Sequence, residues 1–406
     1  MDSGDTTWIL VSTALVMLMT PGLAFFYAGL VRRKNVLATI MQSFFVLCLI
    51  SVQWVLWGYT LAFGSDTGWG LIGGLEHLGL RGVGQDPGPY AETIPHLSFM
   101  AFQMMFAIIT PALITGAFAE RKSFKAFIVF TLVWATLVYD PVAHWVWGDG
   151  GWLGRLGTLD FAGGTVVHIT SGVSALVAAV VLGRRRGLGA EPMDPHDVRM
   201  TILGAALLWF GWFGFNAGSA LAADGLAANA FVVTNTAAAM GALTWMTVSW
   251  LHRGAPSVIG AAAGAVSGLV AITPAAGFVD VPASILIGLG AGVACYAAIQ
   301  LLRRLRVDDA LDVFGVHGIG GIWGALATGV FASVAVNSGA ADGLLAGNPG
   351  QLLTQTVAVS VVAAYAALMT FGILKAIDLT IGLRVPDHVE AAGLDATQHR
   401  EVAYTL

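Results

Sequence analysis

The chain has 406 residues, of which 57% are hydrophobic and only 11% are charged, and its mean hydropathy is +0.78. This composition excludes an ordinary soluble domain and indicates a polytopic membrane protein. The formal net charge of -5 says less than the positions of the basic residues along the chain. The apolar runs are continuous and about 20 residues long, which is the length of a helix that spans a membrane. They therefore favour spanning helices over the short alternating strands of a porin-type barrel.

The apolar runs predict an all-α membrane protein with eleven transmembrane helices. They lie at about 8–31, 36–63, 98–119, 124–146, 162–183, 200–222, 227–251, 257–276, 282–302, 312–334 and 351–378. The Gly-, Pro- and charge-rich segment GRRRGLGAEPMDPHD follows the fifth span and predicts a linker between two halves. Because five is odd, the second half begins in the opposite orientation, which is the topology of a 5+5 inverted repeat. The predicted organisation is a membrane domain at 1–378, with repeat one at about 8–183, repeat two at about 200–334 and helix eleven at about 351–378, followed by a tail at 379–406.

The breaks between successive spans are alternately rich and poor in basic residues. All of the 19 except Arg81 and Arg155 fall in the breaks on one side of the predicted membrane domain or at the span ends that adjoin those breaks. The positive-inside rule makes that side cytoplasmic, so we expect an outer N-terminus and a cytoplasmic tail in a plasma or inner membrane. Topology also explains the Arg-rich run at 184–187 without nucleic-acid binding.

Two histidines lie deep inside the predicted spans, His168 in GTVVHITSG of the fifth and His317 in FGVHGIGG of the tenth. A charged side chain at membrane depth costs about 2.5 kcal/mol or more, so ionisable residues there usually face a bundle interior or a pathway. An inverted repeat would bring the two together near the midplane, where neutral imidazoles can pass a proton. A hydrogen-bonded pair of core histidines is the alternative. A zinc site is disfavoured, since no Cys or carboxylate stands at ligand spacing beside them.

Aromatic residues crowd the predicted outer ends of the spans, in FMAFQMMFAIIT, HWVWGDGGW and WFGWFGFNAGSA. A tryptophan in such a place is usually a membrane anchor. The combination of Trp147 with Ser219 is more specific, because an indole face and a hydroxyl acceptor suit a small cation. Phe106 and Phe215, about one turn deeper, are predicted to form an apolar constriction, with ordinary core packing as the alternative.

An aspartate precedes each histidine span. Asp160, before FAGGTVVH, is first of all a predicted N-cap for orphan backbone N–H groups, and its charge would also favour cations in an outer vestibule. Asp312, before VFGVHG, is the expected matching cap in the second half. The two cysteines, Cys48 and Cys295, are expected to be buried and unpaired, and neither a metal site nor a cofactor is predicted.

Several motifs resemble those of the ammonium transporter (Amt/Mep/Rh) family, on the Amt side, from the first span to the tail. They are PGLAFFYAGLVRRKNVL, FQMMFAIITPALITGAFAER, LDFAGGTVVHITSG, WFGWFGFNAGSA and DVFGVHGIGGIWG. The resemblance implies eleven helices in a 5+5 inverted repeat and a homotrimer with one pore in each protomer. It implies an ammonium-recruitment site at Trp147, Ser219 and Phe106, a stacked gate at Phe106 and Phe215, twin pore histidines at His168 and His317, and a structural aspartate at Asp160.

The chain departs from the family pattern in the segment GDGGWLGRLGTL, where Asp149 and Arg155 are expected to add charges near the vestibule. The sequence therefore predicts an ammonium transporter, not an enzyme. We expect NH4+ to bind at the outer site, to lose its proton where it is desolvated, and to cross as NH3 with or without that proton. An ammonium sensor with little flux is the alternative, although such family members tend to carry an appended signalling domain.

The tail sequence GLRVPDHVEAAGLDATQHREVAYTL mixes acids, amides and a minority of apolar residues. Such a composition suits docking on a surface, with a disordered end as the alternative. The family resemblance implies that EAAGLDATQHREVAY packs under the trimer and leaves the pore mouth open to a PII-type signalling protein.

Overall fold

A computed structural model describes residues 1–404, so the last two residues of the predicted tail, 405 and 406, lie outside the described residues. Within residues 1–404, ten helices are long and apolar enough to cross a membrane, and one apolar helix is shorter. In chain order they are α1 Ser3–Leu30, α2 Arg33–Phe63, α3 His96–Phe118, α4 Phe124–Leu156, α5 Gly164–Leu182, α6 Val198–Ala220, α7 Gly225–Arg253, the short α8 Val258–Ile272, α9 Val281–Arg304, α10 Phe314–Phe331 and α11 Pro349–Thr380. The loop 148–151 interrupts α4 near its end.

The helices alternate in direction, which gives the domain two faces. The face that carries residue 1 and the loops after even-numbered helices is called the N-terminal face, and the opposite one the C-terminal face. A small hairpin on the N-terminal face, β1 Pro87–Gly88 with β2 Ala91–Pro95, was not predicted from the sequence. It is the only paired-strand element of the described chain besides isolated bridges.

The eighth predicted span, 257–276, is shorter in the structure than the sequence indicated. Helix α8 ends at Ile272, and residues 273–278 continue as turns in which the N–H of Ala275 donates to the carbonyl of Ile272. Proline has no N–H to continue a helix, and here the carbonyl of Pro274 accepts from the N–H of Phe161, at the entry to α5. The related Pro111 in α3 does not end its helix, which continues to Phe118.

Close backbone packing joins two five-helix sets, the first made of α1–α5 and the second of α6–α10. Helix α1 packs along α6, where a Cβ on Gly204 would lie 2.2 Å from the backbone nitrogen of Phe26. Helices α5 and α10 also touch, since a Cβ on Gly172 would lie 2.1 Å from the backbone nitrogen of Gly318. Small residues permit this approach in membrane bundles, where dispersion between touching backbones stabilises association. The glycines therefore fix the two histidine helices against each other.

Four π-helical stretches interrupt the membrane helices of the described chain. They are Trp54–Gly58 in α2, Ala135–Tyr139 in α4, Gly164–Ile169 in α5 and Phe314–Gly318 in α10. A π turn inserts one extra residue and frequently marks a functional site. Two of these stretches contain His168 and His317, and the other two adjoin a buried pair of polar residues, Gln53 and Asp140.

A network of ion pairs ties helix ends together on the C-terminal face. The buried carboxylate of Glu120, after α3, contacts Arg32 at 2.8 Å and Arg185 at 3.4 Å, and Arg185 also contacts Asp308 at 2.9 Å. Burial acts to raise the pKa of Glu120, but the hydrogen bonds and charges of the two arginines outweigh it and hold this pKa below its usual value. The network positions the start of α10.

The described part of the tail is docked on the C-terminal face. Its short helix α12, Asp387–Ala392, is followed by Asp395, whose carboxylate accepts from the N–H groups of Leu37 and Ala38 at 3.0 and 2.8 Å. Gln398 accepts from the N–H of Phe124 at 2.8 Å. The disordered alternative for this segment is therefore wrong for residues up to 404.

The prediction that both cysteines are buried is half right. Cys295 in α9 is fully buried, whereas Cys48 in α2 is exposed on the outside of the helical domain. Apolar composition alone does not distinguish a core position from one that faces lipid or a partner subunit, because both environments are apolar.

Candidate functional site

A cavity of about 350 Å³ lies at the N-terminal face, and we call it the vestibule. It is lined by predicted site residues together with neighbours that the sequence analysis did not single out: Phe63, Tyr90, Phe99, Gln103, Phe106, Val146, Trp147, Asp160, Phe161, Ser219, Leu221 and Phe278. The structure thus brings Trp147 and Ser219, from the ends of α4 and α6, into one cavity.

The polar groups of Trp147 and Ser219 are oriented by backbone carbonyls. The indole N–H of Trp147 donates to the carbonyl of Asp160 at 2.8 Å. The hydroxyl of Ser219 donates to the carbonyl of Phe215 at 2.9 Å, one turn back along α6. Each donor is therefore occupied, which leaves the lone pairs of the serine oxygen and the indole ring as the groups that can receive a cation.

A pair of phenylalanine rings lies deeper than Trp147. The rings of Phe106 and Phe215 are 4.2 Å apart between centroids, tilted by 32°, and both side chains are almost fully buried. The Trp147 ring meets Phe106 edge-on at 6.1 Å. The two phenylalanine rings named in the sequence analysis are thus in contact, with their planes tilted, and they lie between the vestibule and His168.

The two histidines lie directly beyond the phenylalanine pair. The Nδ1 atoms of His168 and His317 are 3.2 Å apart, and their rings are stacked with centroids 5.3 Å apart. The ring of His168 also stacks on Phe215, at 6.1 Å. Both imidazoles are buried, at 1% and 4% exposure, so the structure brings the two predicted residues into contact inside the domain.

The Nδ1 contact restricts the protonation of the pair. One Nδ1 must carry the hydrogen and the other must accept it, so two neutral rings hold opposite tautomers. The Nε2 atom of His168 is buried without a partner in the described chain. A narrow void of about 10 Å³ adjoins both rings, close to the lower limit for one water molecule.

Asp160 holds the start of α5 in place. Its two carboxylate oxygens accept four backbone N–H groups, at distances from 2.7 to 3.1 Å. The donors are Gly163, Gly164, Thr165 and Val166. Because the π turn containing His168 begins at Gly164, the predicted capping role also fixes where that histidine lies.

The matching cap in the second half is not Asp312, and that prediction is wrong. Asp312 has a left-handed backbone, with φ of 59°, and its carboxylate pairs with Arg303 at 3.0 Å. The buried carboxylate of Asp309 instead accepts from the N–H of Phe314, at 2.7 Å, where the π turn of His317 begins. Burial is the larger influence and raises the pKa of Asp309 to about 7, and the charge of Asp312 adds to the rise.

The charged residues of the departing segment do not line the vestibule within the described chain. Asp149 and Arg155 are both exposed, in the loop and the short last turn of α4. The backbone N–H of Asp149 does donate to the hydroxyl of Tyr90, a vestibule residue, at 3.0 Å. Asp149 therefore adjoins the vestibule through its backbone only.

Two further polar residues belong to the site but were not singled out in the sequence. Trp212 stacks on His168 with centroids 5.5 Å apart, and its N–H donates to Thr273 at 2.9 Å. The buried Oε1 atom of Gln103 has no hydrogen-bond partner in the described chain. Both residues lie inside quoted motifs, but nothing in the spacing distinguishes their side chains from core or membrane-anchor residues.

Comparison with known proteins gives one consistent assignment. Residues 7–404 match the family model described as the Ammonium Transporter Family. An ammonium transporter of Bacillus subtilis (strain 168) is 54% identical over 405 residues, covering 100% of this chain and 99% of that protein. Ammonium transporter Amt1 of Archaeoglobus fulgidus is 51% identical over 406 residues, covering all of both chains.

The fold agrees with that assignment. The crystal structure of Saccharomyces cerevisiae Mep2 superimposes with a TM-score of 0.89 and 37% identity, covering 96% of this chain and 88% of that one. Full-length identity above 50% and a shared helical fold support the same family, which is made up of transporters rather than enzymes. The chain is a member of the ammonium transporter family.

Proposed function

We propose that this ammonium transporter binds NH4+ in the vestibule, deprotonates it beyond the phenylalanine pair and conducts NH3 along the histidines. The observation that carries the proposal is the stacking of Phe215, His168 and His317 in one row. This row continues the vestibule through Phe106 into the interior.

The vestibule suits a small cation that donates hydrogen bonds. The oxygen of Ser219 keeps acceptor capacity, and the rings of Trp147 and Phe106 offer cation–π attraction. The free Oε1 of Gln103 supplies a further acceptor in the same cavity. Potassium has a similar charge and size but no N–H groups for these acceptors.

Deprotonation follows from desolvation. The two phenylalanine rings contact each other, and the space beyond them holds about 10 Å³, so a hydrated cation does not fit. Loss of water favours the neutral form of a base, and NH4+ can adopt it by releasing a proton. A potassium ion has no such option and would be rejected at this point.

The histidine pair is suited to bind the NH3 that deprotonation leaves. Its neutral tautomers present one donor and one acceptor to the void, which matches the hydrogen bonding of NH3. The same Nδ1 contact could carry the released proton if transport is electrogenic. Current and radiolabelled methylammonium uptake, measured in the same proteoliposomes, would distinguish net NH3 transport, NH4+ transport and a sensor with little flux.

The proposal also covers the oligomeric state of the protein and its orientation in the membrane. We propose a homotrimer of protomers, each a 5+5 inverted repeat with α11 outside the repeat. The crowding of basic residues on the C-terminal face supports a cytoplasmic position for that face, in the plasma or inner membrane. The vestibule then opens to the outside.

The double variant Trp147→Leu with Ser219→Ala should raise the concentration needed for half-maximal uptake. Cation–π and hydrogen-bond contributions of about 0.5–2 kcal/mol correspond to roughly 2–30-fold in affinity. Methylammonium uptake against concentration gives the value, and Trp250→Leu, at an exposed position of α7, is the matched control. An unchanged concentration dependence would assign Trp147 to a membrane-anchoring role.

Regulation at the C-terminal face is proposed from the docked tail. The tail contacts the starts of α2 and α4, and Glu390 accepts from the N–H of Arg186 at 2.6 Å, so it links three segments of this face. We propose that this arrangement leaves the pore mouth accessible to a PII-type signalling protein, which blocks transport by inserting a loop.

Deleting residues 384–406 should lower uptake, because the deletion removes these contacts. Uptake by the truncated protein, and pull-down of a PII protein by the intact one across nucleotide states, measure the two parts. Full uptake by the truncated protein together with no PII binding would contradict the regulatory role of the tail.

A further inference from the structure

A second pair of buried polar side chains lies away from the vestibule and the histidines. Asp140 in α4 is fully buried, and Gln53 in α2 is 1% exposed. Gln53 immediately precedes the π stretch Trp54–Gly58, and Asp140 immediately follows the π stretch Ala135–Tyr139. Two irregular helix segments therefore present one carboxyl and one carboxamide to each other inside the membrane domain.

The hydrogen bonds between these groups are incomplete. The Nε2 group of Gln53 donates to Oδ2 of Asp140 at 2.8 Å, and more weakly to Thr136 at 3.4 Å. The remaining oxygens, Oδ1 of Asp140 and Oε1 of Gln53, are both buried without any donor in the described chain. Both oxygens are acceptors, so an ionised carboxylate leaves two acceptors unsatisfied, which is unfavourable in a buried site.

No cation compensates a charge at this place. Among residues 1–404, no basic side chain forms an ion pair with Asp140. His144, one turn along α4, contacts Asp66 at 3.3 Å instead. The carboxylate of Asp160 accepts hydrogen bonds from four backbone N–H groups. The neighbouring Tyr139 hydroxyl is buried without a partner. A lone ionised carboxylate is among the most unfavourable groups to bury.

We propose that Asp140 carries a proton on Oδ1 and donates it to Oε1 of Gln53, so that the two side chains form a closed, neutral acid–amide pair. One proton supplies the donor that both orphaned oxygens lack, and it removes the uncompensated charge in the same step. The pair then makes two hydrogen bonds, one in each direction, between α2 and α4. It is a proton-binding site separate from the histidines and independent of the proposed transport mechanism.

Infrared spectroscopy of the full-length protein in proteoliposomes at neutral pH tests the protonation. The expected result is a protonated-carboxyl carbonyl band that shifts in D2O and loses one component in Asp140→Asn, while the part from Asp309, whose pKa is about 7, remains. The same band should persist in Asp194→Asn, a matched change at an exposed aspartate. A spectrum in which Asp140→Asn removes only carboxylate absorption would overturn the proposal.

Thermal unfolding gives a second test that does not depend on spectral assignment. Asparagine can replace a protonated acid in the pair, donating to Oε1 and accepting from Nε2, so Asp140→Asn should unfold near the wild-type temperature. Asp140→Leu removes both hydrogen bonds and should unfold lower. If the two variants are destabilised alike, or if sodium raises the unfolding temperature of the wild type but not of Asp140→Asn, the site binds no proton and the proposal fails.

Discussion

Replacing His168 by alanine is expected to lower selective methylammonium uptake by about tenfold or more, because the variant loses a group positioned to accept or pass a proton. The change also removes the Nδ1 partner of His317 and enlarges a void that now measures about 10 Å³. One unsatisfied buried group costs about 1–3 kcal/mol, so the protein should still fold. Uptake and current in the same proteoliposomes, with potassium as competitor, measure both rate and selectivity.

The matched control for this experiment is His252→Ala. The Nδ1 of His252 binds the hydroxyl of Tyr296 at 2.6 Å, away from the row of rings. That variant should retain uptake and selectivity. Wild-type uptake and ion selectivity in His168→Ala or His317→Ala would favour the alternative that the histidines are ordinary core residues.

Replacing Asp160 by alanine is expected to prevent stable folding or to abolish uptake. The variant leaves four backbone N–H groups at the start of α5 without their acceptor. Hydrogen bonds to a charged group contribute about 1.5–3 kcal/mol each, so the summed loss is comparable with the stability of a typical domain. Yield of folded protein and its unfolding temperature in detergent give the measurement.

Asp224→Ala tests whether this effect is specific. Asp224 caps α7 through one N–H, that of Ala227, at 3.0 Å, so its loss should cost about 1 kcal/mol. Equal destabilisation by the two variants would mean that Asp160 is an ordinary N-cap, and that its additional contacts do not fix the position of His168.

The contact between the histidines could be predicted because it depends on topology. Five spans on each side of a linker imply inverted halves, and corresponding positions in inverted halves meet near the midplane. The phenylalanine pair and the place of Trp147 and Ser219 followed from family motifs that run through the chain. These features depend on the number and order of long apolar segments and on long motifs, and both can be recognised in a sequence.

Features set by local backbone geometry were not predictable in the same way. Asp309 and Asp312 both precede the tenth span, and only the left-handed backbone of Asp312 shows which of them caps it. The end of α8 depends on a turn at Pro274, although a similar motif around Pro111 stays helical. The exposure of Cys48 depends on which side of α2 faces the bundle.

The contact of Gly172 with Gly318 limits the kind of motion that can open the path. The helices that carry the two histidines meet backbone to backbone, and they belong to opposite five-helix sets. A rocking motion of one set against the other would have to break this contact beside the site itself. Opening by rotation of side chains such as Phe215 leaves it intact. Domain motions take μs to ms, so a path that opens by side-chain rotation alone would not need a motion of that kind for each molecule that crosses.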